Sequence, residues 1–156
     1  MQLTQFSDIG LRLLMYLASE TREFPAITLA EVSKQFNVPR NHLLKVSARL
    51  IKAGYVSGLR GRAGGLKLAK APKHIRMGEV VRLLEGHTEL INCEKLECRL
   101  KIGCELRFIL SKAYDAFFDL LNEHTLEDIV QGQAGSSIGI MQKNFIALYL
   151  EKSMVH

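Results

Sequence analysis

The stretch NVPRNHLLKVSARLIKAGYVSGLRGRAGGLKLAK, residues 37–70, constrains the fold more tightly than any other part of the chain. Pro39 presets the first turn of a helix, Leu43, Leu44, Val46 and Leu50 give it an inward face, and Gly54 stops it. The apolar period then drops to that of strands. Tyr55-Val56 on one side and Leu66 and Leu68 on the other flank a glycine- and arginine-rich tip, which reads as a hairpin. Upstream, ITLAEVSKQF has the capping-box pair Thr28 and Glu31 and the face Leu29, Val32, Phe36. Two short helices joined by a tight turn, the second one basic, and then a hairpin: this is the winged helix-turn-helix pattern.

Charge supports a polyanionic partner for that block. Residues 1–76 carry 13 Lys+Arg against 4 Asp+Glu, a balance of +9, whereas residues 77–156 carry 8 against 12, a balance of −4. On the expected recognition helix, Pro39, Arg40, Asn41, His42, Lys45 and Arg49 would face double-stranded DNA. Arg40 suits guanine and Asn41 adenine, while Lys45, Arg49 and Lys52 suit phosphates. Arg60, Arg62 and Lys67 would supply wing contacts, and Gly64 and Gly65 a close backbone approach. Thr28 and Ser33 on the preceding helix complete the expected DNA surface. GRAGG lacks the GK[ST] ending of a phosphate-binding P-loop.

Elsewhere helices dominate. Phe6, Ile9, Leu13, Leu14 and Leu17 recur at helical spacing in the first segment, capped by Thr4 or Ser7. A short helix over 78–86 turns Val80, Val81 and Leu84 inward. The longest pattern, 105–123, has a stripe of Leu106, Ile109, Leu110, Ala113, Phe117, Leu120 and Leu121, with Phe108, Tyr114 and Phe118 on other sides. A stripe that wide exceeds what one small domain can cover, so this helix is expected to pack against a second copy of itself. Thr125 caps a further helix, QGQAGSSIG reads as a flexible linker, and IMQKNFIALYLEK as an amphipathic helix. The expected division is 1–76 as a winged helix-turn-helix DNA-binding domain, 77–131 as a cysteine loop with dimerisation helices, and 132–156 as linker and tail. The fold class is mainly α with a small β-wing. Apolar runs are short, so no membrane partner is expected. MQLTQFSDIG has no basic start before an apolar stretch, which points to a cytoplasmic protein.

All three cysteines, Cys93, Cys98 and Cys104, fall in NCEKLECRLKIGC. An odd number does not close a disulfide framework. Thiolates suit zinc, copper(I) or an iron–sulfur cluster, and the x4 and x5 gaps are wider than the x2–4 of structural zinc sites. Lys95, Arg99 and Lys101 would favour thiolates. Three unligated thiols packed inward by Leu96, Leu100 and Ile102 form the simpler reading. A fourth ligand could come from His87 or Glu105 nearby, or from Asp8 or His74 farther off.

MQLTQFSDIGLRLLMYLA, the 37–70 block and the NCEKLECRLKIGC loop together resemble the NsrR group of nitric-oxide-sensing iron–sulfur repressors, within the IscR-like winged-helix family. The resemblance spans roughly residues 1–130 and omits the tail. It implies a homodimer on palindromic operator DNA, regulated by a [4Fe–4S] or [2Fe–2S] cluster and by nitric oxide. It also implies metal ligation by Cys93, Cys98, Cys104 and an Asp8 supplied by the partner subunit, with Arg12 near the cluster and paired to an acid such as Glu85. IscR-like members place a histidine three positions after the last cysteine; Arg107 stands there instead. By itself, an acid such as Asp8 in a first helical turn needs only the helix dipole to explain it. The alternatives are an iron–sulfur status regulator of IscR type and a zinc- or thiol-based regulator using His87. No HExxH or paired-acid arrangement supports an enzyme.

Overall fold

The computed structural model describes residues 2–19, 22, 25–59, 61, 64–87, 89–95, 98–100 and 102–154. Among them the helices α1 (Gln5–Ala18), α2 (Leu29–Phe36) and α3 (Arg40–Lys52) precede the strands β1 (Val56–Leu59) and β2 (Gly65–Leu68). A 3-10 turn, Pro72–His74, leads to α4 (Met77–Glu85), α5 (Glu105–Asn122), α6 (Leu126–Val130) and α7 (Gln133–Met154).

Helix α1 is the spine. Thr4 caps it, its hydroxyl accepting from Ser7 N at 3.2 Å, and Ile9, Leu13, Leu14 and Leu17 are buried as their spacing predicts. Each such side chain contributes roughly 1.5–3 kcal/mol by leaving water. Gly10 lets α4 approach closely: a Cβ there would meet Leu84 Cδ1 at 2.6 Å.

Thr28 caps α2 by accepting from Glu31 N at 3.2 Å, but the reciprocal half of the expected box is absent. Glu31 turns inward instead, 2% exposed, and accepts from Tyr16 OH at 2.7 Å and from the Arg22 guanidinium at 2.6 Å. A buried carboxylate is costly without such donors, so the core interaction displaces the local one. Asn37 ends α2 in the left-handed conformation (φ 51°), and Ser33 Oγ donates to Val38 O at 2.7 Å, fastening the tight turn into α3.

Helix α3 buries Leu43, Val46, Ser47 and Leu50. Leu44, expected inward, is 46% exposed, because the buried face is centred on the line through Leu43, Ser47 and Leu50 and Leu44 stands about 100° round from Leu43. The hairpin forms as expected, with β1 and β2 antiparallel and Val56 opposite Leu68. Leu66 N also donates to Ile27 O at 2.7 Å, tying the wing to the residue just before the α2 cap.

Helix α4 buries Val80, Val81 and Leu84 and packs on both α1 and α5. The apolar residues of α5 divide between a buried and an exposed side. Tyr114 and Phe118 are buried against Val81, while Leu106, Phe108, Ile109 and Leu120 lie 59–61% exposed. Apolar residues occur on several sides of this helix, and the aromatic side wins the core because Gly78 on α4 admits the α5 backbone at Phe118.

Helix α6 has the full capping box expected from Thr125, closed by Asp128. The 131–139 stretch QGQAGSSIG, expected to be a flexible linker, is instead helical from Gln133 on, the start of the continuous 22-residue helix α7. Its small residues serve packing: Gly135 lies against the Val130 backbone, Ile138 enters the core, and Gln142 Nε2 donates to Tyr16 O at 2.8 Å.

Candidate functional site: recognition helix, wing and cysteine loop

Helix α3 has no acidic residue, and Arg40, Asn41, His42, Lys45 and Arg49 are all exposed on it. Asn41, Lys45 and Lys52 share the outward line, opposite the buried face. Arg49 lies off that line. Its guanidinium sits 5.8 Å from the Phe6 ring centroid and beside Gly86, where a Cβ would come within 2.8 Å of it. The Pro39 N-cap has no side-chain hydrogen bond, so the first turn's N–H groups are not side-chain capped.

The expected contacts from α2 are occupied inside the protein: the Thr28 hydroxyl caps the helix and the Ser33 hydroxyl holds the turn. Lys67 is exposed on β2. Gly65 is glycine because a Cβ would strike Ile27 O, and at Gly64 one would meet Leu59 O at 2.5 Å. Those glycines therefore have an internal reason as well. Arg60 and Arg62 lie outside the described residues; Gly61, between them, has φ 103°, which glycine accommodates.

The second half of the site is the loop between α4 and α5. Gly86 (φ 71°) ends α4 and Gly103 (φ 73°) precedes α5. Asn92 Oδ1 accepts from Lys95 N at 2.8 Å, and Cys98 N donates to Cys93 O at 3.2 Å, a turn that joins two cysteines through backbone. None of the three thiols is in a disulfide. Cys93 is 7% exposed, and Cys98 and Cys104 are half-buried. Cys104 is the N-cap of α5. The simpler packing reading fails for two of its three residues: Leu100 is 70% and Ile102 91% exposed, and Leu96 lies outside the described residues. The thiols suit a soft metal centre. Within one chain and among the described residues, no three His, Cys, Asp or Glu side chains gather to hold a metal ion.

The acids and histidines sort themselves by partner. Asp8, in the first turn of α1, is half-exposed and takes Arg12 Nε at 3.0 Å. Within one chain Arg12 and Glu85 each have a different partner. Glu85 is 4% exposed and accepts from Thr4 N at 2.8 Å and Thr4 Oγ1 at 3.0 Å. Burial opposes its charge, but hydrogen bonds from Ser7 and Thr4 and the nearby His87 outweigh that and hold its carboxyl below the usual range.

His87 is held by Tyr114 through its carbonyl and its Nδ1. Tyr114 OH donates to His87 O at 2.7 Å, which leaves the phenol oxygen to accept from Nδ1 at 3.0 Å, while Nε2 stands 3.4 Å from Glu85. Burial first, and then Glu85 and Asp115, push the Tyr114 hydroxyl up despite Arg82, so it remains a donor. Glu105 is exposed in the first turn of α5, where Arg107 pairs with Glu89 at 2.9 Å, and His74 is exposed on the 3-10 turn. Tyr114 and Thr4, which fix the two sides of this network, have no signal in the sequence beyond polarity on a helix face and a cap.

A profile of the Rrf2 family, described as an iron-dependent transcriptional regulator, matches residues 3–132. The HTH-type transcriptional regulator NsrR of Bacillus licheniformis is 39% identical over 136 residues, covering 85% of this chain and 94% of that one. Among solved structures, CymR (YrzC), the global cysteine regulator of B. subtilis, superposes with TM-score 0.67 at 25% identity, covering 83% of this chain and 95% of its own. The T. potens IscR structure gives 0.64 at 21% identity over 84% of this chain and 87% of its own, a likeness of fold.

Proposed function

The chain belongs to the Rrf2 family of transcriptional regulators, not to any family of enzymes, and from that premise we propose that it is a nitric-oxide-responsive repressor. It acts as a homodimer on palindromic operator DNA, read by α3 and the β1–β2 wing. Cys93, Cys98 and Cys104 hold an iron–sulfur cluster, [4Fe–4S] or [2Fe–2S], and Asp8 from the partner subunit completes it. When bound, such a cluster supplies iron that nitric oxide can attack.

The observation that carries this reading is the separation of donors within one chain. Three undisulfided thiols share a loop ending at the α5 N-terminus, while the half-exposed Asp8 stands on α1 paired with Arg12. An acid so placed is available to a second subunit. The exposed α5 stripe supports that assembly, as does a cavity of about 440 Å³ beside it, lined by Leu3, Leu11, Val81, Phe117, Leu121 and Ile129. Apolar area of this kind is what an obligate dimer covers. Release of Asp8 frees the start of α1, which packs on α3, so the state of the loop reaches the DNA-reading helix.

Purification without oxygen, with iron, sulfide and zinc assayed on one sample, tests the assignment. Matched iron and sulfide with visible absorption is the expected result, reduced in Asp8→Ala and abolished in Cys98→Ala. Stoichiometric zinc in a colourless protein would overturn it.

A further inference from the structure

We propose that Leu44 is a specificity-determining residue of α3 that selects a thymine in the operator by contact with its 5-methyl group. The proposal rests on α3 being the DNA-reading helix and goes beyond it by naming an apolar base contact.

Helical spacing alone assigns Leu44 to the core beside Leu43. The core is closed without it, by Leu43, Val46, Ser47 and Leu50, and Leu44 remains 46% exposed. It lies in the first half of α3, next to the outward Asn41 and Lys45 and one turn from Arg40. That is the part of a recognition helix whose side chains reach base edges. The surrounding charge favours an anionic partner. Every charged residue of α3 is a cation, Arg40, Lys45, Arg49 and Lys52, so the surface against which Leu44 is buried must be anionic overall yet locally apolar. The major groove offers one such feature on its floor, the thymine methyl. Arg40, Asn41 and Lys45 then provide the polar and phosphate contacts around it. Ile51, also exposed at 42%, lies two helical turns farther on in the last turn of α3, beyond the part that enters the groove.

Leu44 also differs from its neighbours in what its loss would do. It holds no phosphate, so its removal leaves the salt dependence of binding unchanged, whereas loss of Lys45 would lower the slope. Its exposure means that truncation opens no cavity in the core.

The experiment uses the full chain, purified without oxygen, and the duplex it selects from a randomised pool. Each thymine of that duplex is replaced in turn by deoxyuridine, which removes the methyl and leaves every hydrogen-bonding group in place. Wild-type protein is expected to lose affinity roughly fourfold per half-site at one symmetric position, the factor for one buried methyl. Leu44→Ala is expected to bind the unmodified duplex more weakly by a similar factor and to ignore that substitution, with its melting temperature and salt slope unchanged. Equal losses for wild type and Leu44→Ala at every thymine would overturn the proposal, as would wild-type affinity in the variant. Unchanged DNA binding together with loss of a protein partner would also overturn it and reassign Leu44 to a protein contact. A wild-type chain that prefers no duplex over another would overturn the DNA-reading premise itself, a different failure from operator binding indifferent to Leu44.

Discussion

Tyr114 shows how much a single hydroxyl can hold in this protein. Its ring is buried beside Phe118, and its oxygen contacts both the carbonyl and the ring of His87, where the cysteine loop begins. Tyr114→Phe keeps the ring and strands the His87 carbonyl; we expect a loss of about 1–2 kcal/mol in urea unfolding. An unchanged midpoint would mean that the hydroxyl contributes nothing. Glu85 predicts a pH effect. Its folded carboxyl titrates below the ordinary value of 4.5, so its contribution is complete above that value and is lost as pH falls through the folded pKa. Glu85→Gln should therefore flatten the acid limb of the stability profile, and a limb identical to wild type would contradict this. Neither role is legible in the sequence. Thr4 and Glu85 are 81 positions apart, and the capping motif at Thr28–Glu31 points to a local partner for Glu31 where the core supplies a distant one.

Among the elements, what is local was legible and what depends on packing was not. The caps at Thr4, Thr28 and Thr125 and the α3 stop near Gly54 lie where the sequence places them, because each depends on bonds within a few residues. The face of α5 was not legible, since apolar residues on several sides fit more than one orientation. Glycine on α4 settles it. Gly78→Ala would gain about 1 kcal/mol of helix propensity but drive a Cβ into the Phe118 carbonyl, so a net loss of about 1–3 kcal/mol is expected. Gly10→Ala meets the side-chain ends of Leu84 and, at 3.3 Å, Val46 rather than backbone, and should cost less. Equal midpoints for the two variants in denaturant would show that the α4–α5 approach does not decide the packing. The first turns of α7 went unread for a related reason, although the helix from Ile140 onward was expected: the glycines and serines there imitate a linker until Ile138 and Gln142 have α1 to pack on.

On the scale of the whole molecule, the charge division and the cysteine loop pointed to a regulator before any coordinates, and the winged fold and family agree with them. No described helix is long and apolar enough to cross a membrane. The proposed cluster site can be read from the sequence only as a set of residue types, because its proposed closure by Asp8 needs a second subunit and no spacing within one chain encodes that. The central claim is that the state of the cysteine loop sets operator affinity. Titration of an anaerobic sample with operator duplex before and after nitric oxide, on the same preparation and at one salt concentration, tests it most directly. The account predicts tight binding before exposure and at least a tenfold weaker constant after it, with Cys98→Ala weak throughout. Equal affinity before and after exposure, in a protein shown to contain iron and sulfide, would contradict it.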